Sequence, residues 1–291
     1  MVSVDELCCD PDTLWSKYES EGRISKKCDL MRKYENTVEV RLDTPLRSDA
    51  IRIVCISDIH DTIGSWYKRI PNGDVLLCAG DLTQNGSKER ELPHKHKIII
   101  AGNHDLGFQD NFNLKEEEKD PSCRGKEGTA EGYKLLTNCI YLQDKAVTAL
   151  FFASHLLKKS YANYASFQIF GLKIYGSSWH PLPGFPFSLR RGQELLNKWN
   201  LIPTDTDILI THTPPLGHND VYNVTNGRWG CSELLNTVEK RVHPKFHVFG
   251  HVHEKNGMTT NGETFFVNAS ICNHKLEPVN DPIIFDIPKA N

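Results

Sequence analysis

The chain has 291 residues, 39% of them hydrophobic and 24% charged, with a formal net charge of −3. This balance excludes a disordered or fibrous chain and leaves one large globular domain or two small ones. The slight acidity excludes bulk attraction to nucleic acid or anionic lipid, so a phosphate group has to be met by a local site.

The N-terminus, MVSVDELCCD, has no basic stretch followed by an apolar one, which argues against a signal peptide. The nine cysteines include no C-x-x-C pair and read as idle or buried thiols of a reducing compartment. No apolar run is long enough to span a bilayer. These features together predict a cytoplasmic protein with no membrane partner.

Residues 1–45 are polar and mixed in charge, with a weak helical pattern around Leu14 to Tyr18, and are expected to form an N-terminal extension. A domain over 46–291 follows. Ile51 to Ser57, Asp74 to Ala79 and Lys97 to Ala101 are short Val- and Ile-rich runs that suit buried strands. Residues 109–132 are charged and rich in turn formers, so they read as a surface loop. Within it, Glu116 to Glu118 read as a solvated acidic face. Ala149 to Gln168 interrupts what is otherwise a hairpin: deleting it leaves VTIFGLKIYG, two strands around Gly171. It is read as an insertion or a splice or gene-model variant, and its His155 is not counted as a ligand. Gly192 to Trp199 is a short helix. Cys231 to Val242 is a second, with Leu234, Leu235, Val238 and Val242 on one face. Ile208 to Thr211, Phe246 to Gly250, Thr264 to Asn268 and Ile283 to Ile287 complete the strands. The mixture predicts an α/β fold.

Five of the loops after these strands carry chemistry: SDIH with Asp58 and His60, AGDLT with Asp81, AGNHD with Asn103, His104 and Asp105, ITHTPP with His212, and FGHVHE with His251 and His253. Singly, each has an ordinary explanation as a turn former or surface group. Together they place polar side chains at one edge, if the strands are neighbours. Asp58 and His60, like His251 and His253, are separated by one residue, so extended backbone points both the same way. Gly80, Gly102 and Gly250 permit tight turns beside them. Carboxylate, imidazole and amide together argue against a cysteine zinc site and an all-oxygen calcium site. They suit Mn, Fe or Zn rather than Mg. Two carboxylates, four histidines and an asparagine exceed the needs of one ion and fit two, roughly 3.5–4 Å apart.

The order D-x-H, GD, GNHD, H, GHxH resembles the calcineurin-like metallophosphoesterases. Longer stretches, among them DTPLRSDAIRIVCISD, DILITHTPPLG and CSELLNTVEKRVHPKFHVFGHVHE, resemble the metallophosphoesterase-domain-containing proteins of brain and fetal brain. The resemblance implies a four-layer αββα sandwich with the metal site on loops at strand C-terminal ends. It implies that Asp58, His60 and His253 hold a first metal ion, that Asn103, His212 and His251 hold a second, and that Asp81 bridges them. His104 would be the general acid, oriented by Asp105. The implied reaction is hydrolysis of a small phosphodiester or nucleotide, cyclic nucleotides included, by attack of metal-bound hydroxide. Asn103, His104 and His218 would contact substrate, with Asp220 nearby. The segment between Asp81 and Asn103 is about nine residues shorter than the resemblance implies, which leaves little room for a full-length helix.

Trp179, Phe185, Phe187 and Trp229 are placed either to stack on a base or, more commonly for such residues, to pack. Arg190 and Arg191 read as a solvated basic pair. Two rival functions remain: a weakly active or inactive nucleotide-binding or scaffold protein, and a phosphomonoesterase. The scarcity of basic residues near the motifs favours the diester over the monoester, whose dianion calls for more positive charge.

Overall fold

The computed structural model describes residues 2–28, 42–62, 64, 66–83, 94–148 and 171–289. Its helices are α1 (Pro11–Ser20), α2 (Gln193–Trp199) and α3 (Ser232–Thr237). Its strands, in chain order, are β1 (Lys26–Lys27), β2 (Ala50–Ile56), β3 (Val75–Ala79), β4 (His96–Ile100), β5 (Ile140–Tyr141), β6 (Lys145–Thr148) and β7 (Lys173–Ser177). The remainder are β8 (Ile208–Thr211), β9 (Val221–Tyr222), β10 (Gly227–Arg228), β11 (Phe246–Phe249), β12 (Gly257–Thr260), β13 (Phe265–Asn268) and β14 (Ile283–Pro288).

Two sheets carry the fold. One has five strands in the order β14-β2-β3-β4-β5, and the other has seven in the order β1-β12-β13-β11-β8-β7-β6. β2, β3, β4 and β5 run parallel, as do β13, β11, β8 and β7. Strands buried on both faces need apolar side chains at every position, which is why β2 reads as an unbroken run rather than an alternation. Its Ile51, Ile53 and Cys55 face the seven-stranded sheet, meeting Ile208, Ile210, Phe246 and Val248 across the central core. Val54 and Ile56 face outward, against Trp66, Ile70 and Phe108. Among the described residues that outer layer consists of loops and two 3-10 turns, Trp66–Arg69 and Gly132–Leu135, rather than a long helix. The helices lie on the outer face of the other sheet, where α2 and α3 bury Leu195, Trp199, Leu234 and Leu235 against Tyr175, Leu209 and Phe249.

The N-terminal segment joins this same layer. Pro11 occupies the first turn of α1, and the Asp10 carboxylate accepts the Thr13 N–H at 3.1 Å, a standard cap. Leu14, Trp15 and Tyr18 are 0%, 3% and 3% exposed, so this part of the expected extension is packed into the body. The helix expected over Cys231 to Val242 is present but changes its winding: after α3 the chain widens into a π turn, Val238–Val242, closed by His243 N–H donating to Val238 O at 2.9 Å.

β6 and β7 pair antiparallel, with Thr148 opposite Lys173, as the two strands around Gly171 require. The intervening Ala149 to Gln168 lies outside the described residues, as does 84–93 of the short Asp81-to-Asn103 connection. No disulfide joins the cysteines of the described residues. No helix of the described residues is long and apolar enough to cross a membrane.

Candidate metal centre

Every loop singled out in the sequence leaves the C-terminal end of a parallel strand: Asp58 and His60 follow β2, Asp81 follows β3, Asn103 to Asp105 follow β4, His212 follows β8, and His251 and His253 follow β11. Because β2-β3-β4 and β8-β11 run parallel within their sheets, these ends gather at one edge of the sandwich. One ligand atom from each of Asp58, His60, Asp81 and His253 lies within 4.8 Å of the others. All four side chains are largely withdrawn from solvent.

Glycines make this convergence possible. A Cβ on Gly250 would overlap the Ser57 hydroxyl and the Asp58 carboxylate, and one on Gly102 would overlap the Asp81 carboxylate. The ligand loops themselves are strained. Asp58, His60, Asp81 and His251 have φ of 56°, 46°, 50° and 70°. Left-handed backbone at a non-glycine residue costs on the order of 1 kcal/mol and persists where surrounding structure enforces it, typically at functional sites.

Two histidines anchor the cluster in the same way. His212 donates Nδ1–H to Ala79 O at 2.8 Å, which turns its Nε2 to Asn103 Oδ1 at 2.8 Å and Asp81 Oδ2 at 3.4 Å. His253 donates Nδ1–H to Asn273 O at 3.1 Å, which turns its Nε2 to His60 Nε2 at 3.2 Å and Asp58 Oδ1 at 3.4 Å. A backbone carbonyl accepts only, so in the neutral ring the proton sits on Nδ1 and each Nε2 lone pair points at further lone pairs. Such a convergence is unfavourable unless positive charge lies among the atoms, and the donor set fits divalent cations. The titration directions express the same field. Burial alone would push His212 down, but the carboxylates of Asp81 and Asp58 hold it up at about 9. Burial likewise opposes charge on His253, and the Asp58 carboxylate overrides it. Burial works against ionised Asp58, yet His253 and His212 hold it at about 2, and Asp81 is held well below the carboxylate range in the same way. His60 is pushed down to about 4 by burial.

Asp81 ties the halves together. Its Oδ2 lies 3.6 Å from His60 Nε2 and 3.4 Å from His212 Nε2, while its Oδ1 accepts the His104 N–H at 2.8 Å. The half-buried His104 ring sits 4.9 Å from that of His60 and 5.4 Å from that of Phe185, centroid to centroid. Asp105 does not orient that ring. Its carboxylate accepts four hydrogen bonds: Thr83 N at 2.9 Å, Thr83 Oγ1 at 3.1 Å, Leu82 N at 3.3 Å and Gly102 N at 2.8 Å. It staples the Asp81 loop to the Asn103 loop, and burial pushes it up to about 7. His251 holds both Asp58 oxygens through its backbone N–H, at 3.1 Å each, and its ring is 4.9 Å from that of His212.

His218 is not with this cluster. The chain turns inward at Gly217, and the His218 ring stacks on Phe266 at 3.6 Å, with Nδ1 2.9 Å from Thr259 Oγ1. Asp220 is buried too, accepting from Gly217 N and Arg228 Nη1. Of the aromatic candidates, Phe187 is buried against Trp179, whereas Phe185 adjoins His104 and Trp229 adjoins His251. Arg190 pairs with Glu194, Arg191 binds the backbone carbonyls of Trp229 and Gly230, and Glu116 to Glu118 are exposed. His180 was not singled out in the sequence. It follows β7, as the other site histidines follow their strands, and its ring stacks on His251 at 5.8 Å. That shared strand-then-polar pattern was the available signal. Both of its nitrogens are engaged, Nε2–H with Pro186 O at 2.7 Å and Nδ1 with Leu182 N at 3.1 Å, so it walls the site rather than offering a ligand atom.

Comparison with known proteins agrees with this geometry. The family model described as Calcineurin-like phosphoesterase matches residues 51–255, a span that contains all of the loops above. The chain is 46% identical over 299 residues to UPF0046 protein C25E10.12 of Caenorhabditis elegans, covering 99% of this chain and 95% of that one. It is 38% identical to UPF0046 protein T07D4.2 of the same organism, covering 99% of this chain and 70% of that one. It is 39% identical over 305 residues to Metallophosphoesterase domain-containing protein 1 of Homo sapiens, covering 99% of this chain and 85% of that one. With its family-model match, these full-length likenesses and the Asp/His cluster at the strand ends, the chain belongs to the calcineurin-like phosphoesterase family.

Proposed function

We propose that this protein hydrolyses small phosphodiesters, nucleotides and cyclic nucleotides among them, with two divalent cations. Asp58, His60 and His253 hold one, Asn103, His212 and His251 hold the other, and Asp81 lies between. The observation that carries this reading is the pair of imidazoles, His212 and His253, each locked through Nδ1–H to a backbone carbonyl with Nε2 turned toward carboxylate oxygen. The abundance of imidazole favours Mn, Fe or Zn over Mg. Bound there, the cations supply charge for the phosphoryl oxygens and an activated water.

The chain's own groups do the rest. Asn103 turns its Oδ1 toward His212 Nε2, on the cation side, which leaves its amide N–H groups for a phosphoryl oxygen. His104, tethered through its backbone N–H to Asp81, stands at the edge of the cluster, where its imidazole gives a proton to the departing alkoxide oxygen. The strained loops and buried carboxylates keep the ligand atoms in place before substrate arrives, so little reorganisation is left for the reaction. Among the described residues no lysine or arginine is hydrogen-bonded to the Asp58, Asp81 or histidine side chains, which favours a diester monoanion over a monoester dianion. The net charge of −3 favours a small substrate over nucleic acid or a lipid surface, and the nine thiols without a C-x-x-C pair suit a reducing, cytoplasmic setting.

The test is hydrolysis of bis(p-nitrophenyl) phosphate beside p-nitrophenyl phosphate, with Mn, Zn and Fe in turn. A higher kcat/KM on the diester is expected. Stoichiometric metal with neither ester cleaved would turn the reading toward a scaffold, and a faster monoester would turn it toward a phosphomonoesterase.

A further inference from the structure

We propose that Trp229, on the β9–β10 hairpin, is a positioning residue that sets the orientation of the His251 imidazole, and that α1 braces the hairpin for this purpose. The proposal rests on the reading of His251 as a ligand given above.

His251 differs from the other two histidines of its side of the cluster. His212 and His253 each donate Nδ1–H to a backbone carbonyl, the usual way a ligating imidazole is held. Among the described residues neither ring nitrogen of His251 makes a hydrogen bond; only its backbone N–H does, to Asp58. The ring is held by other rings instead. His180 stacks on it at 5.8 Å and 27°, His212 meets it edge-on at 4.9 Å, and Trp229 lies at 5.3 Å and 43°. An imidazole without an acceptor for its outer N–H turns freely about its ring torsion unless packing stops it. His180 is fixed by two hydrogen bonds of its own and His212 by its bond to Ala79 O, and Trp229, at 5.3 Å, is the third ring that packs against the imidazole.

Trp229 is itself fastened at every turn. Its N–H donates to Asp220 O at 2.9 Å, and its carbonyl accepts Arg191 Nη2 at 3.2 Å, while Arg191 Nη1 donates to Gly230 O at 2.7 Å. Its ring stacks on Tyr222 at 4.1 Å across the two-stranded hairpin, where Tyr222 pairs with Gly227 and Val221 with Arg228. The hairpin is bound in turn to α1. Arg228 N–H donates to Asp12 Oδ1 at 3.2 Å, and the Arg228 guanidinium lies 5.2 Å over the Trp15 ring while Nη1 donates to Asp220 at 2.6 Å. One line of contacts therefore runs from α1 through Arg228 and Trp229 to His251.

The experiment is calorimetric titration of Mn into metal-stripped protein, in four forms: wild type, Trp229→Leu, Trp229→Phe and His251→Ala. Trp229→Leu is expected to weaken one of two binding events about tenfold, the low end for loss of a group that supports a ligating histidine, and to spare the other. Trp229→Phe, which keeps a ring, recovers most of the loss. Wild-type affinity in Trp229→Leu, or equal weakening of both events, overturns the proposal. His251→Ala separates the layers. Weakened binding there with unchanged Trp229→Leu removes only the positioning role, whereas unchanged binding in His251→Ala removes His251 as a ligand and the proposal with it. Should Trp229→Leu fail to unfold cooperatively, Tyr222→Leu is read in its place. Tyr222 is half-buried and one ring further out, and a smaller weakening of the same event is expected, with no weakening counting against the proposal.

Discussion

His212 and His218 stand on one loop, both with no exposed surface, and they are electrostatic opposites. Burial disfavours the imidazolium in both. At His212 the Asp81 and Asp58 carboxylates more than offset it and hold the group up at about 9. At His218 burial meets no carboxylate, the Arg228 guanidinium adds to it, and the group falls to about 3. His247, hydrogen-bonded to Thr211 Oγ1 at 2.8 Å and near His218, is likewise driven well down by burial. The difference teaches that a buried histidine is not in itself a sign of a site. What marks the metal centre is negative charge brought in beside imidazole, in a place where water cannot compensate.

The comparison can be broken by substitution at the cluster's edge. His104→Ala is expected to lower turnover of bis(p-nitrophenyl) phosphate by about 10²–10⁴-fold, the range for loss of a general acid. Metal content, measured by elemental analysis, should stay near that of wild type, because His104 touches Asp81 through its backbone only. Unchanged turnover would reject His104 as the acid.

A smaller effect sharpens the other side. The folded His218 value, about 3, lies below the ordinary 6.5, so the unfolded chain takes up a proton first as pH falls. The stability associated with neutral His218 is therefore present above pH 6.5 and lost as pH falls toward 3. In chelator, urea unfolding between pH 7 and pH 5 should show His218→Gln losing stability less steeply than wild type, by up to about 1.4 kcal/mol per pH unit below 6.5. Parallel pH dependences would contradict it.

The same pair shows how far sequence carries. The strands were legible because β2, β3, β8 and β11 are covered on both faces and so read as unbroken apolar runs. The cluster was legible because each strand hands its polar residue to a loop at the same sheet edge. Other features depend on contacts between loops distant in sequence, which periodicity does not encode. Asp105 looked like a partner for its neighbour His104, but its carboxylate reaches back to Leu82 and Thr83. His218 looked close to His212, but the left-handed turn at Gly217, whose Cα is covered by the Trp15 ring, sends it into the core. Nor did the polar N-terminal stretch announce that Trp15 and Asp12 would reach the hairpin beside His251.

The most direct test of a two-cation centre is metal counting by elemental analysis after the protein is loaded with Mn and dialysed. Two ions per chain are expected in wild type, one in His212→Gln and two in His218→Gln. One ion or none in wild type, or the same loss in both variants, would contradict a dinuclear centre built on His212.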